Sequence, residues 1–256
     1  MTRVATVAEI WRFPVKSMRG ERLSEAEVGS EGLEGDRAHA VYDPERAVVL
    51  SAKRSTRLLG YRATLSDGRL LVEAADGVSF EPGPELDERI ASTLERSARL
   101  VAAGSVAVPL VEIGESSATT EGEPNFFRGH RGSFFDLTDL HLVSRSSLSE
   151  MARLAPGADF HPARFRANFI LDTPVGEGFV EEGWIGRTIA IGERVRADVV
   201  KACSRCVMTT LAQDGLDRDR SILRTIAREN SNHLGIRADV VDGGRVREGD
   251  EVRLLD

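Results

Sequence analysis

The chain has 256 residues, of which 41% are hydrophobic and 29% are charged, the usual balance of a soluble globular protein with one large or two smaller domains. Its net charge of −7 argues against nucleic-acid binding, which requires a basic face. No apolar run reaches the roughly 18 to 20 residues that span a bilayer, and the N-terminus lacks the apolar block of a signal peptide. The composition therefore predicts a cytoplasmic protein with no membrane or nucleic-acid partner.

The first third of the chain has the pattern of short strands separated by turns. Residues 4–13 alternate between apolar and polar side chains with the period of two that is typical of a strand. Further strand candidates are bounded by Gly, Asp or Ser turns and cover residues 21–28, 36–43, 57–65, 69–74 and 77–82. This spacing favours a small sheet or barrel.

The sequence pattern changes twice in the middle of the chain. Residues 86–101 show helical periodicity, with Asp87 as the predicted cap and one apolar face formed by Ile90, Leu94, Ala98 and Val101. A section of low periodicity then runs from 104 to 136 and suggests the seam between two domains. It contains four phenylalanines that we expect in the core: Phe126, Phe127, Phe134 and Phe135.

The second half predicts further strands and two more short helices. Strands are expected at 137–143, 164–172, 184–193, 194–202 and 236–241, with a hairpin-like end over 242–255. Helices are expected at 144–154, with serines at its start, and at 217–230, with Ile222, Leu223 and Ile226 facing inward. The predicted fold class is mostly β (α+β), with a few short helices.

Both cysteines lie in the stretch KACSRCVMTT, where Cys203 and Cys206 form a C-x-x-C pair. Two cysteines can form neither a disulfide framework nor a four-thiolate iron–sulfur cluster. A zinc site needs further Cys or His ligands, and no two of the five histidines have the H-x₃₋₅-H spacing. A thioredoxin-like dithiol requires a helix directly after the motif, whereas the following residues are β-branched and soon reach a glycine.

Two interpretations of the pair stay open on the residues alone. Free cysteines are most often small buried apolar residues. The cations Lys201 and Arg205 instead favour a thiolate, which is the form that binds metals and reacts as a nucleophile.

The neighbourhood of the pair adds a family resemblance. Three segments, in this order and spacing, resemble the MOSC domain, which is named for the C-terminal part of molybdenum-cofactor sulfurase: RFRANFILD (164–172), GWIGRTIAIGE (183–193) and VVKACSRCVMTT (199–210). Residues 10–43 resemble the β-barrel domain that precedes MOSC in the amidoxime-reducing components and their bacterial relatives. The motifs PVKS, GDR, FRxN and CSRC are jointly specific. The resemblance implies a small β-barrel-like domain over 1–115 and a MOSC β-barrel domain over 116–256.

The resemblance also implies a cofactor and its site. The cofactor is the molybdenum cofactor (Mo-molybdopterin), and Cys206 matches the catalytic cysteine that binds molybdenum beside the dithiolene of the pterin. The positions that match cofactor-contacting residues are Lys16, Arg37, Ser144, Arg166, Asn168, Ser204 and Arg205. Arg and Lys suit a phosphate or a pterin edge, and Asn offers both a donor and an acceptor. Taken singly, Lys16 and Arg37 also fit solvated charges, and Asn168 fits a strand-entry residue with a local backbone bond.

The implied function is the reduction of N-hydroxylated small molecules by a molybdenum-dependent oxidoreductase. Because the chain cannot hold a cluster of its own, electrons are expected from a separate donor, such as a ferredoxin or a cytochrome b5-type protein with its reductase. Two alternatives stay open: a sulfur carrier or transferase with a persulfide on Cys206, and a non-catalytic protein that binds the cofactor. The compact segment after CSRC departs from human-type relatives, which leaves the substrate undetermined.

Overall fold

A computed structural model of the protein describes residues 1–106, 110–113, 125–128, 133–134, 138–173, 178–213 and 215–255. The chain folds into two compact units. The barrel unit comprises Met1–Arg12, Arg22–Glu34 and Thr138–Asp256, and the second unit comprises Phe13–Glu21 and Gly35–Leu137. The predicted boundary between residues 115 and 116 lies outside the described residues.

The described elements follow one another along the chain as listed here. The strands are β1 (Thr2–Arg12), β2 (Glu21–Leu23), β3 (Glu25–Gly29), β4 (Gly32–Leu33), β5 (His39–Asp43), β6 (Val48–Val49), β7 (Arg62–Ser66), β8 (Arg69–Glu73), β9 (Ser79–Phe80), β10 (Arg99–Ala102), β11 (Leu110–Ile113), β12 (Asn125–Arg128), β13 (Leu140–Ser144), β14 (Phe169–Asp172), β15 (Thr188–Ile191), β16 (Val195–Ser204), β17 (His233–Asp242), β18 (Gly244–Arg247) and β19 (Glu251–Leu254). The α-helices are α1 (Pro84–Leu94), α2 (Arg145–Leu154) and α3 (Arg220–Glu229), and 3₁₀ turns lie at Thr56–Gly60, Pro162–Arg164, Val180–Trp184 and Val207–Thr210.

The barrel unit is built on a closed sheet. Its strands are ordered β14, β13, β17, β16, β15, β19 and β1, and β1 pairs back to β14 in antiparallel register. Leu142 of β13 and Ile236 of β17 are opposite each other and fully buried in the barrel core. Because side chains alternate along a strand, the neighbouring pair His141 and Arg237 faces away from that core. The barrel thus presents polar side chains on the outer face of β13 and β17.

The second unit contains two small sheets and helix α1. One sheet has the order β10, β5, β6, β11 and β12, and the other has the order β7, β8 and β9. Phe134 packs in its core with Val49 and Val101, as the sequence predicts. The side chains of Phe126 and Phe127, and the whole of Phe135, lie outside the described residues.

The predicted helix over 86–101 is too long. Helix α1 ends at Leu94 because Glu95 adopts the left-handed conformation, with φ of 55°, and Arg99–Ala102 pairs with β5 as a strand. The N-cap is Gly83, and Asp87 instead accepts a hydrogen bond from the backbone N–H of Leu100 at 2.7 Å. Tertiary strand pairing therefore overrides the helical pattern in the last third of this segment.

Three further predictions need correction, whereas others are confirmed. The predicted strand over 57–65 begins instead as the 3₁₀ turn Thr56–Gly60, and only Arg62–Ser66 is a strand. In α3, Ile222 and Ile226 are buried as predicted, but Leu223 is only partly buried. The C-terminal segment is not a paired hairpin, since β18 pairs with β3, and β19 pairs with β1 and β15. The antiparallel pair β15–β16 and the helix α2 match their predictions. No helix in the described ranges has the length and apolar character needed to cross a bilayer.

Candidate functional site

The C-x-x-C motif lies where strand β16 ends. The register of β16 against β17 shifts twice near this end, between Val199 and Lys201 and between Ala202 and Ser204. Such β-bulges turn a strand and redirect its side chains. Cys203 is fully buried, whereas Cys206 is half-buried and begins the 3₁₀ turn Val207–Thr210. The two cysteines therefore have different access to a ligand.

Arg205, between the cysteines, is held by several contacts. Its guanidinium donates to the carbonyl of Phe165 at 2.8 Å, and one of its nitrogens lies 3.2 Å from His141 Nε2 and 2.9 Å from Cys203 Sγ. The backbone N–H and C=O of Arg205 bond to the backbone O and side-chain Nδ2 of Asn232, both at 2.9 Å. Arg205 Nε is buried and has no hydrogen-bond partner among the described residues. The cation thus contacts Cys203 and fixes the turn that carries Cys206.

The FRAN motif precedes strand β14 and lies beside this turn. Asn168 is fully buried, its Oδ1 accepts from the backbone N–H of His141 at 3.1 Å, and its Nδ2 donates to the carbonyl of Trp11 at 3.5 Å. Asn168 therefore connects β13 to β1, as expected of a strand-entry residue. Arg166 is half-buried and adopts the left-handed conformation, with φ of 54°.

Ser144 lies at the start of α2, in a buried network. It is the N-cap of the helix and accepts from the backbone N–H of Ser147 at 3.0 Å. Its hydroxyl donates to Glu181 Oε2 at 2.6 Å, and the Ser147 hydroxyl donates to the same oxygen at 2.7 Å. Glu181 is fully buried. The Ser144 hydroxyl thus satisfies a buried carboxylate, and this network contains none of the other predicted site residues.

Replacing Ser144 with alanine is expected to lower the free energy of unfolding by about 2 kcal/mol, because it removes a helix cap and a donor to a buried carboxylate. Chemical denaturation measures the loss. Ser149→Ala, at an exposed position of the same helix, is the matched control and is expected to be nearly neutral. Equal stability of Ser144→Ala and the control would show that the network contributes nothing.

Lys16 and Arg37 lie in the second unit and are both buried, with 7% and 8% of their surface exposed. Lys16 Nζ donates to the carbonyl of Phe134 at 3.0 Å, and the Phe134 N–H donates to the carbonyl of Arg37 at 2.8 Å. The Arg37 guanidinium bonds to Asp36 and lies over the ring of Phe13, 4.6 Å from its centroid. The structure therefore brings the PVKS and GDR motifs together around the backbone of Phe134.

Two histidines that sequence reasoning treated only as scattered residues belong to these clusters. His141 is buried and lies against Arg205. His39 is half-buried beside Lys16, whose N–H donates to its carbonyl at 2.8 Å, and His39 Nδ1 is buried with no partner among the described residues. Burial lowers the pKa of His39 below its ordinary value of 6.5, against the effect of a hydrogen bond to the backbone of Pro14, which raises it. The ring is therefore neutral at pH 7 and offers both a donor and an acceptor.

Backbone strain lies at three of the motifs. Ser17, Arg37 and Arg166 are non-glycine residues with φ of 67°, 49° and 54°. This left-handed conformation costs a non-glycine residue on the order of 1–2 kcal/mol and persists only where the surrounding structure enforces it. Five described residues outside these motifs share the conformation, namely Ala47, Asp67, Glu95, Ser231 and Asn232, so the strain is consistent with a functional role for the motifs but does not single them out.

Ser204 and the possible metal ligands of the described residues are the last features of the site. Ser204 is exposed at the end of β16, opposite His233. Across the described residues, no three His, Cys, Asp or Glu side chains gather closely enough to hold a metal ion.

Comparisons with known proteins address the same regions. The MOSC domain model matches residues 130–253, and the model of the MOSC N-terminal beta barrel domain matches residues 4–103. Mitochondrial amidoxime reducing component 2 of Rattus norvegicus is 23% identical over 299 residues, covering 100% of this chain and 85% of the relative. Mitochondrial amidoxime-reducing component 1 of Mus musculus is 25% identical over 259 residues, covering 88% of this chain and 72% of the relative. Among solved structures, the YUAD protein from Bacillus subtilis aligns with a TM-score of 0.49 and 11% identity, covering 97% of this chain and 93% of that one.

Proposed function

This chain belongs to the MOSC domain family, with a MOSC N-terminal beta barrel domain ahead of the MOSC domain, and we propose that it is a molybdenum-cofactor oxidoreductase that reduces N-hydroxylated compounds. The observation that carries the proposal is the asymmetry of the cysteine pair. Cys206 is half-buried at the start of a fixed turn, whereas Cys203 is fully buried against Arg205. Cys206 is therefore the thiol that a metal can reach.

The residues fit the chemistry of this cofactor. A soft thiolate suits a metal that is already held by sulfur. A buried polar atom that has no hydrogen-bond partner in the protein can form that bond with a bound polar ligand. Arg205 Nε in the barrel unit and His39 Nδ1 in the second unit are such atoms among the described residues. Arg205 Nε belongs to the guanidinium that contacts Cys203, and it suits the hydrogen-bonding pterin.

The remaining residues divide into those that hold the cofactor and those that position others. Lys16, Arg37 and Arg166 supply cations for the phosphate and the pterin edge, and the exposed hydroxyl of Ser204 lies close in sequence to Cys206. Arg205 orients the turn, and Asn168 fixes the entry to β14. Ser144 acts through the start of helix α2, since its hydroxyl is bonded to Glu181.

When bound, the cofactor supplies a metal that delivers two electrons to the N–O bond of the substrate. Two electrons and two protons then convert an N–OH group to N–H and water. The chain's own contribution is to bind the metal through Cys206, to hold that thiolate in place through Arg205, and to neutralise the anionic cofactor. Electrons come from a separate protein, such as a ferredoxin or a cytochrome b5-type donor with its reductase. The proposed substrate class, N-hydroxylated compounds, is inferred from the names of the two amidoxime-reducing relatives.

The test uses protein purified from a host that makes the cofactor and is supplied with molybdate. Near-stoichiometric molybdenum, together with conversion of an amidoxime to the amidine by a chemical reductant, is the expected result. A folded protein without molybdenum would overturn the proposal. Intact-mass measurement would then test for a persulfide on Cys206, as a mass increase that a thiol reductant removes.

A further inference from the structure

A groove of about 690 Å³ lies in the barrel unit, between helix α3 and the 3₁₀ turn that follows Cys206. Val207 lines the groove and is the covalent neighbour of Cys206, so one wall begins directly beside the proposed metal ligand. The other lining residues are Thr210, Arg218, Arg220, Leu223, Arg224, Ala227 and Asn232. Val207 and Thr210 belong to the segment VVKACSRCVMTT, and the other lining residues lie outside the motifs that indicate the cofactor site. The three arginines that line the groove are thus residues to which the resemblance assigns no role.

The groove is strongly basic in a chain that is acidic overall. Arg218, Arg220 and Arg224 are exposed, and within the described part of the chain none of them forms an ion pair. Asp219, which lies between two of them, is engaged as the N-cap of α3 and accepts from the N–H of Ser221 at 2.7 Å. Asp219 does not line the groove. The three arginines thus line a groove whose lining residues include no carboxylate. Asp219 beside the groove is nevertheless close enough to Arg224 that this cation, after the hydrogen bonds from Ser221, helps to lower the pKa of Asp219.

This arrangement is unfavourable for the helix itself. Arg220 and Arg224 are four residues apart, where like charges destabilise a helix. Arg220 also lies in the first turn, where the helix dipole disfavours a cation. Violations of local rules of this kind are typical of functional sites. An anion bound in the groove would offset both the repulsion between the two arginines and the unfavourable interaction of Arg220 with the helix dipole.

The groove also has an apolar wall. Leu223 and Ala227 of α3 and Val207 of the turn contribute it, and Leu223 is the residue that the helical pattern predicted to be inward but that remains partly exposed. The volume is within the range of small-molecule sites, roughly 300–1,000 Å³. A bare inorganic ion would leave this wall unused. The lining matches a molecule with an apolar body and a negatively charged end.

We propose that the groove binds an organic carboxylate and thereby selects substrates that carry one: N-hydroxylated compounds with an acidic group on an apolar body. The identity of the reacting group rests on the proposed function, whereas the anion site rests on the groove alone. Guanidinium groups pair with carboxylates through two parallel hydrogen bonds, which gives both affinity and orientation. The acidic end would lie against the arginines of α3.

Calorimetric titration of the cofactor-loaded protein with two matched ligands tests this proposal. The ligands are para-carboxybenzamidoxime and its neutral carboxamide counterpart. Wild type is expected to bind the carboxylate at least about tenfold more tightly, and a variant combining Arg220→Gln and Arg224→Gln is expected to lose that preference. Gln forms helices about as well as Arg, so the fold is retained. Arg228→Gln is the matched control, because Arg228 lies on the same helix outside the groove, paired with Glu229.

The outcomes separate the two proposals. Tighter binding of the carboxylate that the double variant abolishes, without turnover of either ligand, would refute the reductase function and leave the anion site standing. Turnover of both ligands with equal affinity in wild type would support the reductase and overturn the groove proposal. A preference that Arg228→Gln removes as fully as the double variant would also overturn it, since the effect would then be one of overall charge.

Discussion

Replacing Cys206 with serine is expected to remove most of the bound molybdenum and to lower amidoxime reduction at least about 100-fold, since loss of even an indirect metal contact costs 10–100-fold. Serine keeps the size of the side chain but replaces a soft thiolate by a hard, protonated hydroxyl. The turn itself is held by hydrogen bonds between the Arg205 backbone and the backbone and side chain of Asn232, so the variant should stay folded. Metal analysis and steady-state assays measure the two effects.

The other cysteine supplies the matched control. Cys203 is fully buried and contacts Arg205 at 2.9 Å, so Cys203→Ala should keep the metal and cost about 1 kcal/mol of stability through the lost contact. Full activity in Cys206→Ser would refute its role as metal ligand. Equal loss of metal in both variants would mean that the motif acts as a unit and that the asymmetry of the pair has no functional meaning.

Gly235→Ala is expected to destabilise the barrel by about 3 kcal/mol or more, through a left-handed backbone and overpacking combined. Gly235 lies on β17 with φ of 82°, and a Cβ there would be 2.5 Å from the carbonyl oxygen of Leu142 and from Val143 Cγ2. It would also lie 3.0 Å from His141 Nε2, the atom that faces Arg205. The added methyl group should therefore disturb the site as well as the fold.

Gly249→Ala separates the cost of the left-handed backbone from the cost of overpacking. Gly249 has a similar φ of 91°, but an added Cβ would meet nothing within 4 Å. The substitution should lower the free energy of unfolding only through the strain of a left-handed alanine, by on the order of 1 kcal/mol. Denaturant unfolding of both variants gives the difference, which measures the close approach of β13 to β17. Equal losses would show that the strands can separate to accept the methyl group.

Local elements of the fold were predictable because local residues determine them. The serine before α2 acts as its N-cap, and β15 and β16 pair as the two predicted neighbouring strands. The end of α1 was not predictable, since residues 99–102 continue its helical pattern and only pairing with β5 makes them a strand. Closure of the barrel by β1 against β14 likewise joins segments more than 150 residues apart, for which the sequence carries no local signal.

For the site, too, the motifs predicted which residues take part, whereas the contacts of those residues depend on the fold. The CSRC motif pointed to Cys206, but the direction of each polar side chain depends on contacts from other segments. Arg205 and Asn168 bond to protein groups beside His141, and Ser144 bonds to Glu181. His141 is not part of a spaced motif, so no sequence pattern indicated that it would lie against Arg205. The arginines of the α3 groove were visible in the sequence, yet only the structure shows that they line one space.

X-ray absorption spectroscopy at the molybdenum edge of the wild-type protein tests the central claim most directly. If Cys206 binds the metal, the spectrum will require a sulfur ligand beyond those that the dithiolene of the cofactor supplies. A sulfur shell that the dithiolene alone accounts for would contradict this assignment and would leave Cys206 as a thiol outside the metal site.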